Sequence, residues 1–80
     1  VSAGAYDKAI SLYEKLEGRA AGTPLAQQAQ LERAHAQWKS NDQASALATL
    51  DRFMKLHPAS PAIDYALYLN SVFRDDPDFQ

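Results

Sequence analysis

Apolar side chains recur at helical spacing along most of the chain. In residues 4–17 they follow the i, i+3, i+4, i+7 pattern, which is typical of an amphipathic helix that buries one face. The same spacing returns in residues 24–40, 43–57 and about 62–73, and polar or helix-breaking residues lie between these segments. The pattern therefore predicts an all-α fold of about four helices.

Residues that start and stop helices separate the four segments. A hydroxyl or carboxylate side chain before a helix can accept a hydrogen bond from its first turn, and proline is favoured at the first helical position. Glycine and proline are typical just after a helix. The signals are Gly18 and Gly22, Thr23-Pro24, Asn41-Asp42, His57-Pro58 and Ser60-Pro61.

An internal repeat links the segments. Its marker positions are Leu31, Ala34, His35 and Trp38, then Ala46, Leu50 and Phe53, and finally Pro58. This spacing follows the tetratricopeptide pattern, in which antiparallel helix pairs stack into a right-handed superhelix. The first four markers are reproduced at an offset of 34 residues, the tetratricopeptide period, by Tyr65, Tyr68, Leu69 and Val72.

The repeat predicts how the chain is divided. Residues 4–17 are the second helix of a truncated first repeat, because Ala9-x3-Tyr13 matches Ala46-x3-Leu50. Residues 24–57 form a complete repeat, 61–74 the first helix of a further repeat, and 75–80 a polar tail. The aromatic residues at helical spacing are expected in the core. These are Tyr6, Tyr13, Trp38, Tyr65 and Tyr68.

The last helix is apolar nearly all round, and such a helix needs cover on both sides. We therefore expect its Val72/Phe73 side to be hidden by homo-oligomerisation or by a helix swap.

Composition excludes several function classes. The net charge of −2, without a basic run, argues against nucleic-acid binding, which needs clustered Lys and Arg. The chain has no Cys and no stretch of about 18 apolar residues that would span a membrane.

Glu32-x-x-His35 is half of a di-metal motif whose other half is absent. Ser40, His35 and Asp42 lack the glycine-rich turn of a catalytic triad. The sequence predicts a non-enzymatic protein without metal or cofactor.

Two strings extend the resemblance to a particular family. LDRFMKLHPASPAIDYALYL and, upstream, GTPLAQQAQLERAHAQWKSND resemble the N-terminal repeats of the BamD-type (ComL/YfiO) outer-membrane assembly lipoproteins. The resemblance implies an all-helical protein on the periplasmic side of the bacterial outer membrane, held there by a lipid anchor. The implied partners are C-terminal peptides of unfolded barrel proteins and the subunits BamA and BamC. The lipobox cysteine and the C-terminal half are missing, and Asn70-Ser71 replaces an expected basic residue and glycine.

The first helix of each repeat is expected to present side chains to a peptide groove. A basic side chain can hold a peptide carboxylate, Arg bidentately, and aromatic rings can pack against an aromatic peptide end. The candidate peptide-binding residues are Glu32, Arg33, Lys39, Tyr65, Asn70, Phe73 and Arg74. Two alternatives remain open: a general tetratricopeptide co-chaperone or secretion-type adaptor, and a self-associating repeat fragment that has no ligand.

Overall fold

Four α-helices follow one another in the computed structural model, which describes residues 3–76. They are α1 (Ala3–Arg19), α2 (Pro24–Lys39), α3 (Gln43–Leu56) and α4 (Ile63–Arg74). No strand occurs among these residues, so the predicted all-α fold is confirmed. Of the expected tail at 75–80, residues 77–80 lie outside the described part of the chain.

Side-chain caps begin the second and third helices as the sequence predicts. The Thr23 hydroxyl accepts a hydrogen bond from the Ala26 amide at 3.4 Å, and a proline follows Thr23 at the first helical position. The Asp42 carboxylate accepts one from the Ser45 amide at 3.3 Å. Asn41, with φ 71°, supplies the left-handed residue between α2 and α3.

The expected cap of α4 is wrong. Its N-cap residue is Ala62, which makes no side-chain hydrogen bond. The Ser60 hydroxyl instead accepts from the Ala62 amide at 3.1 Å, which forms a turn ahead of the helix. The same hydroxyl donates to the Gln27 side chain, so buried Ser60 ties the α3–α4 loop to α2.

The core is built around α2, which contacts each of the other three helices. Small residues in the core let the helix backbones approach closely, and large residues fill the remaining space. Trp38 packs at the edge of the core, half-buried, with its ring stacked on Phe73 at 5.2 Å between centroids. The buried core residues are Leu31, Ala34, Ala46, Leu50, Phe53, Ala66, Leu69 and Phe73.

Burial in α4 corrects the predicted core positions of that helix. Tyr68, expected in the core, is 62% exposed, whereas Phe73 is fully buried and Val72 half-buried. The Val72/Phe73 side is therefore not the exposed one. An offset of 34 residues equates buried Ala34 with exposed Tyr68, so α2 and α4 do not bury equivalent positions at that offset.

An offset of 37 residues relates α1 to α3 and the residues before α2 to those before α4. It carries Ala9 to Ala46 and Tyr13 to Leu50, and it carries the pair Thr23-Pro24 to Ser60-Pro61. It also carries Ala36, which lies against α1, to Phe73, which lies against α2 and α3. In both helices the equivalent position faces the preceding part of the stack.

Candidate functional site

A pocket lies between α1 and α2 on the side of α2 that also carries the contact with α4. It presents two phenol rings and an imidazole beside one ammonium group and one carboxylate. We call it the tyrosine pocket. It is lined by Tyr6, Ala9, Tyr13, Glu32, His35, Ala36 and Lys39.

Helix geometry explains why these side chains meet. Tyr6 and Tyr13 are seven residues apart, as are Glu32 and Lys39, and seven residues are close to two turns, so each pair shares a helix face. The core residues of α2 lie on the neighbouring face of that helix. The face with Glu32 and Lys39 therefore lies beside the core and points toward solvent. The pocket is therefore a consequence of how α2 is packed.

Lys39 places a positive charge at the pocket. The residue is exposed, and its Nζ lies 5.2 Å from the centroid of the Trp38 ring. A cation over an aromatic face is attracted by the ring quadrupole, which restrains the long side chain. His35 stacks on the same indole, with ring centroids 6.1 Å apart and planes 15° from parallel. The indole thus orders both pocket residues.

Glu32 is held by neighbouring side chains. Its Oε1 accepts a hydrogen bond from the Tyr65 hydroxyl at 2.9 Å and one from Gln28 Nε2 at 3.3 Å. Burial raises the pKa of Tyr65 to about 12, with further contributions from the hydrogen bond to Glu32 and from that carboxylate's charge. The bond links α2 to α4 at the edge of the pocket, so Glu32 positions Tyr65.

Arg33, predicted to grip a peptide, is engaged within the protein. Its Nε lies 2.6 Å from Glu17 Oε2 and its Nη2 lies 3.1 Å from Oε1, a bidentate ion pair. The two side chains are only 18% and 22% exposed. The pair fastens α1 to α2, which makes Arg33 a structural residue here.

Asn70 and Arg74 lie on a different surface. Arg74 Nε donates to Asn70 Oδ1 at 3.1 Å, so the predicted shared face is confirmed. At roughly 100° per residue, however, they stand about 140° and 180° around α4 from Tyr65. The structure therefore does not bring them together with Tyr65 and Lys39.

Phe73 is also a correction. It is fully buried, stacked on Trp38, and cannot contact a bound peptide. Tyr6, Tyr13 and His35 line the pocket, although none of them is among the predicted peptide-binding residues and the helical spacing of the tyrosines predicts a place in the core. All three are half-buried. The seven-residue spacing of the tyrosines was the available signal.

The described residues offer no candidate metal centre. Within them, no group of three or more His, Cys, Asp or Glu side chains is placed to hold a metal ion. Over residues 3–76, no helix has both the length and the apolar character needed to cross a bilayer.

Comparison with known proteins shows what the chain resembles. It is 46% identical over 76 residues to the outer membrane protein assembly factor BamD of Neisseria meningitidis serogroup B, a match that covers 92% of this chain and 28% of the relative. The factor of the same name from Vibrio cholerae is 32% identical over 72 residues, covering 90% of this chain and 30% of the relative. The chain therefore spans less than a third of these relatives.

A comparison with models of protein families identifies the repeat type. The model described as tetratricopeptide repeat matches residues 1–76, nearly the whole chain. No solved structure matches. With three other helices packed against α2 in residues 3–76, the chain belongs to the tetratricopeptide repeat family.

Proposed function

We propose that this chain is a non-enzymatic protein-binding scaffold that takes part in assembling β-barrel proteins into the bacterial outer membrane. The support is its membership of a repeat family of this architecture together with relatives named as outer membrane protein assembly factors. Its place would then be the periplasmic side of that membrane. Its partners would be unfolded barrel proteins and, by resemblance, the subunits BamA and BamC.

The tyrosine pocket carries the proposal. Tyr6 and Tyr13 offer apolar ring surface, and Lys39 offers an exposed ammonium beside it. A peptide that ends in an aromatic residue has the complementary chemistry, a ring adjacent to a free carboxylate. We therefore assign the peptide end to this pocket, with Lys39 facing the carboxylate and His35 at its side. Tyr65 and Glu32 form the edge.

The remaining predicted residues take other roles in this proposal. Arg33 holds α1 against α2, so that the tyrosines stay beside Lys39. Asn70 and Arg74 lie on the far flank of α4 and would contact a different part of a long peptide or another subunit.

A titration with matched peptides tests the proposal. A labelled peptide ending in phenylalanine with a free carboxylate is compared with its amidated form by fluorescence anisotropy. A partly exposed charge pair is worth about 1 kcal/mol, so amidation should weaken binding roughly fivefold. Lys39→Gln should remove the difference between the two peptides. Lys55→Gln, an exposed lysine on α3, is the control and should preserve it. Equal binding of both peptides to the unaltered protein would contradict the proposal.

The general adaptor is the second candidate. It is favoured by the family model alone, which specifies no ligand. An adaptor for acidic tails would bind a peptide rich in Asp and Glu more tightly than the phenylalanine-ending peptide. The same titration therefore separates the two candidates.

A further inference from the structure

Another pocket lies among the end of α1, the first half of α2 and the end of α3. Its volume is about 360 Å³, within the range of sites that hold small ligands or single side chains. We call it the glutamine pocket. The polar side chains that line it are Glu17, Thr23, Gln27, Gln30 and His57.

The glutamine pocket is a different site from the tyrosine pocket. The two share no lining residue. Gln30 and Lys39 are nine residues apart, and at roughly 100° per residue this places them about 180° apart around α2. A ligand in the glutamine pocket is therefore independent of a peptide end beside Lys39.

Gln30 carries a buried amide that the fold does not use. The residue is 7% exposed, yet its carboxamide makes no hydrogen bond within residues 3–76. In that part of the chain, Trp38 Nε1 is the one side-chain nitrogen or oxygen that is both sealed from solvent and without a partner. The carboxamide of Gln30 is therefore not sealed, and the space it meets is the pocket. Buried amides are nearly always hydrogen-bonded, so this group is available to a ligand.

Two neighbouring side chains have hydrogen-bonding capacity left over. Gln27 Oε1 accepts from the Ser60 hydroxyl, whereas its Nε2 makes no bond to any described residue. The His57 ring lies against buried Phe53, with 5.3 Å between ring centroids, and its nitrogens are likewise unbonded within the described chain. Gln27 and Gln30 are one helical turn apart, so both amides are on one face of α2.

The charges at the pocket favour a neutral ligand. Glu17 is the one carboxylate in the lining, and Arg33 already neutralises it through bonds of 2.6 and 3.1 Å. No Lys or Arg of the described chain lines the pocket, so an anion would meet Glu17 without a matching cation. A cation would compete with Arg33 for a carboxylate that is already paired.

We propose that the glutamine pocket binds the primary carboxamide of an Asn or Gln side chain from a partner protein. A primary carboxamide has an N–H and a C=O on the same edge, so two carboxamides can join through a pair of hydrogen bonds. In a trans peptide group the N–H and C=O point in opposite directions, so a main chain cannot form that pair with one side chain. Gln30 supplies the pair, and Gln27 Nε2 donates to the second lone pair of the ligand oxygen.

A titration with capped tripeptides tests the proposal. The probe has a central Gln, an acetylated N-terminus and a methylamide C-terminus, so its side chain is its only primary carboxamide. Titrated into isotopically labelled protein, it should shift the nuclear magnetic resonance signals of Gln27, Gln30 and His57 to saturation. Peptides with a central Met or a central Glu have similar length but lack the amide donor, and each should bind about tenfold more weakly.

Two variants separate binding from a merely structural role. Gln30→Met removes the carboxamide and keeps the length of the side chain, so it should abolish the preference for the Gln peptide. The urea midpoint of the free variant should stay the same or rise, because the amide has no partner in the fold. Gln43→Met is the matched control, since Gln43 is a glutamine of α3 outside the pocket, and it should keep the preference. Lys39→Gln should keep it too, so this proposal and the one for the tyrosine pocket fail separately.

Three results would overturn the proposal. A Gln peptide that leaves the signals of Gln30 unshifted would mean that the pocket does not bind it. Equal binding of the Gln and Met peptides would mean that the carboxamide is not recognised. A lower urea midpoint for Gln30→Met than for the unaltered chain would mean that the amide already stabilises the fold.

Discussion

Replacing each of two aromatic residues of α4 by alanine tests which face of that helix is inside. Phe73 is fully buried and stacked on Trp38 at 5.2 Å, whereas Tyr68 is 62% exposed. Deleting a fully buried aromatic ring removes its transfer free energy and leaves a cavity, so Phe73→Ala should cost about 3–5 kcal/mol. Tyr68→Ala removes a ring that is mostly in water already, and its cost should stay within about 0.5 kcal/mol.

The assay is urea unfolding followed by far-ultraviolet circular dichroism, at a protein concentration low enough to suppress association. A chain of this size has a thin stability margin, so we expect Phe73→Ala to leave too little folded protein to analyse. Phe73→Leu keeps most of the volume and should cost about 1–2 kcal/mol, measurable as a lower urea midpoint with an unchanged slope. Tyr68→Leu is its control and should leave the midpoint unchanged.

The reasoning would be refuted if the order were reversed. A larger loss of stability for Tyr68→Leu than for Phe73→Leu would mean that Tyr68 packs α4 against the core. Tyr68 would then belong to the core, as the sequence predicts, and the exposed face assigned to α4 would be wrong.

Three further predictions follow from single contacts. Tyr65 should ionise near pH 12 in an ultraviolet titration. Glu32→Gln should lower this pKa only in part, because burial of the phenol is the main cause of the raised pKa. Its folded-state pKa is raised above the unfolded value of 10.0, so the free energy of unfolding should hold below pH 10 and fall as the pH rises toward 12. Arg33→Gln and Glu17→Gln should each lower the free energy of unfolding by about 1–2 kcal/mol. A double-mutant cycle of urea unfolding should give a coupling near 1 kcal/mol, and the absence of coupling would mean that the ion pair does not hold α1 against α2. Trp38→Ala should cost about 3 kcal/mol, because the indole packs against the core, and an unchanged thermal midpoint would contradict that placement.

The sequence was sufficient for the helices because local signals specify them. Thr23-Pro24 and Asp42 mark helix starts through their own side chains, and those caps form as predicted. Ser60 has the same side-chain chemistry but bonds to Gln27 and to the loop instead. That choice depends on a residue 33 positions away, which no local pattern contains.

The candidate site was harder to predict because it depends on how faces meet. Arg33 and Lys39 are both basic residues of α2, and only packing shows that Glu17 of α1 lies against the first and not the second. The burial of Phe73 likewise depends on which face of α4 packs against α2 and α3. At roughly 100° per residue, Tyr68 and Phe73 stand about 140° apart around α4, so one can lie in the core while the other is exposed.

The most direct test of the proposed function is the location of the bound peptide. A phenylalanine-ending peptide is titrated into isotopically labelled protein, and the nuclear magnetic resonance shifts of backbone amides and aromatic rings are followed. We predict that the largest shifts occur at Tyr6, Tyr13, His35 and Lys39. The largest shifts at Asn70 and Arg74, with the tyrosine pocket unchanged, would contradict the assignment.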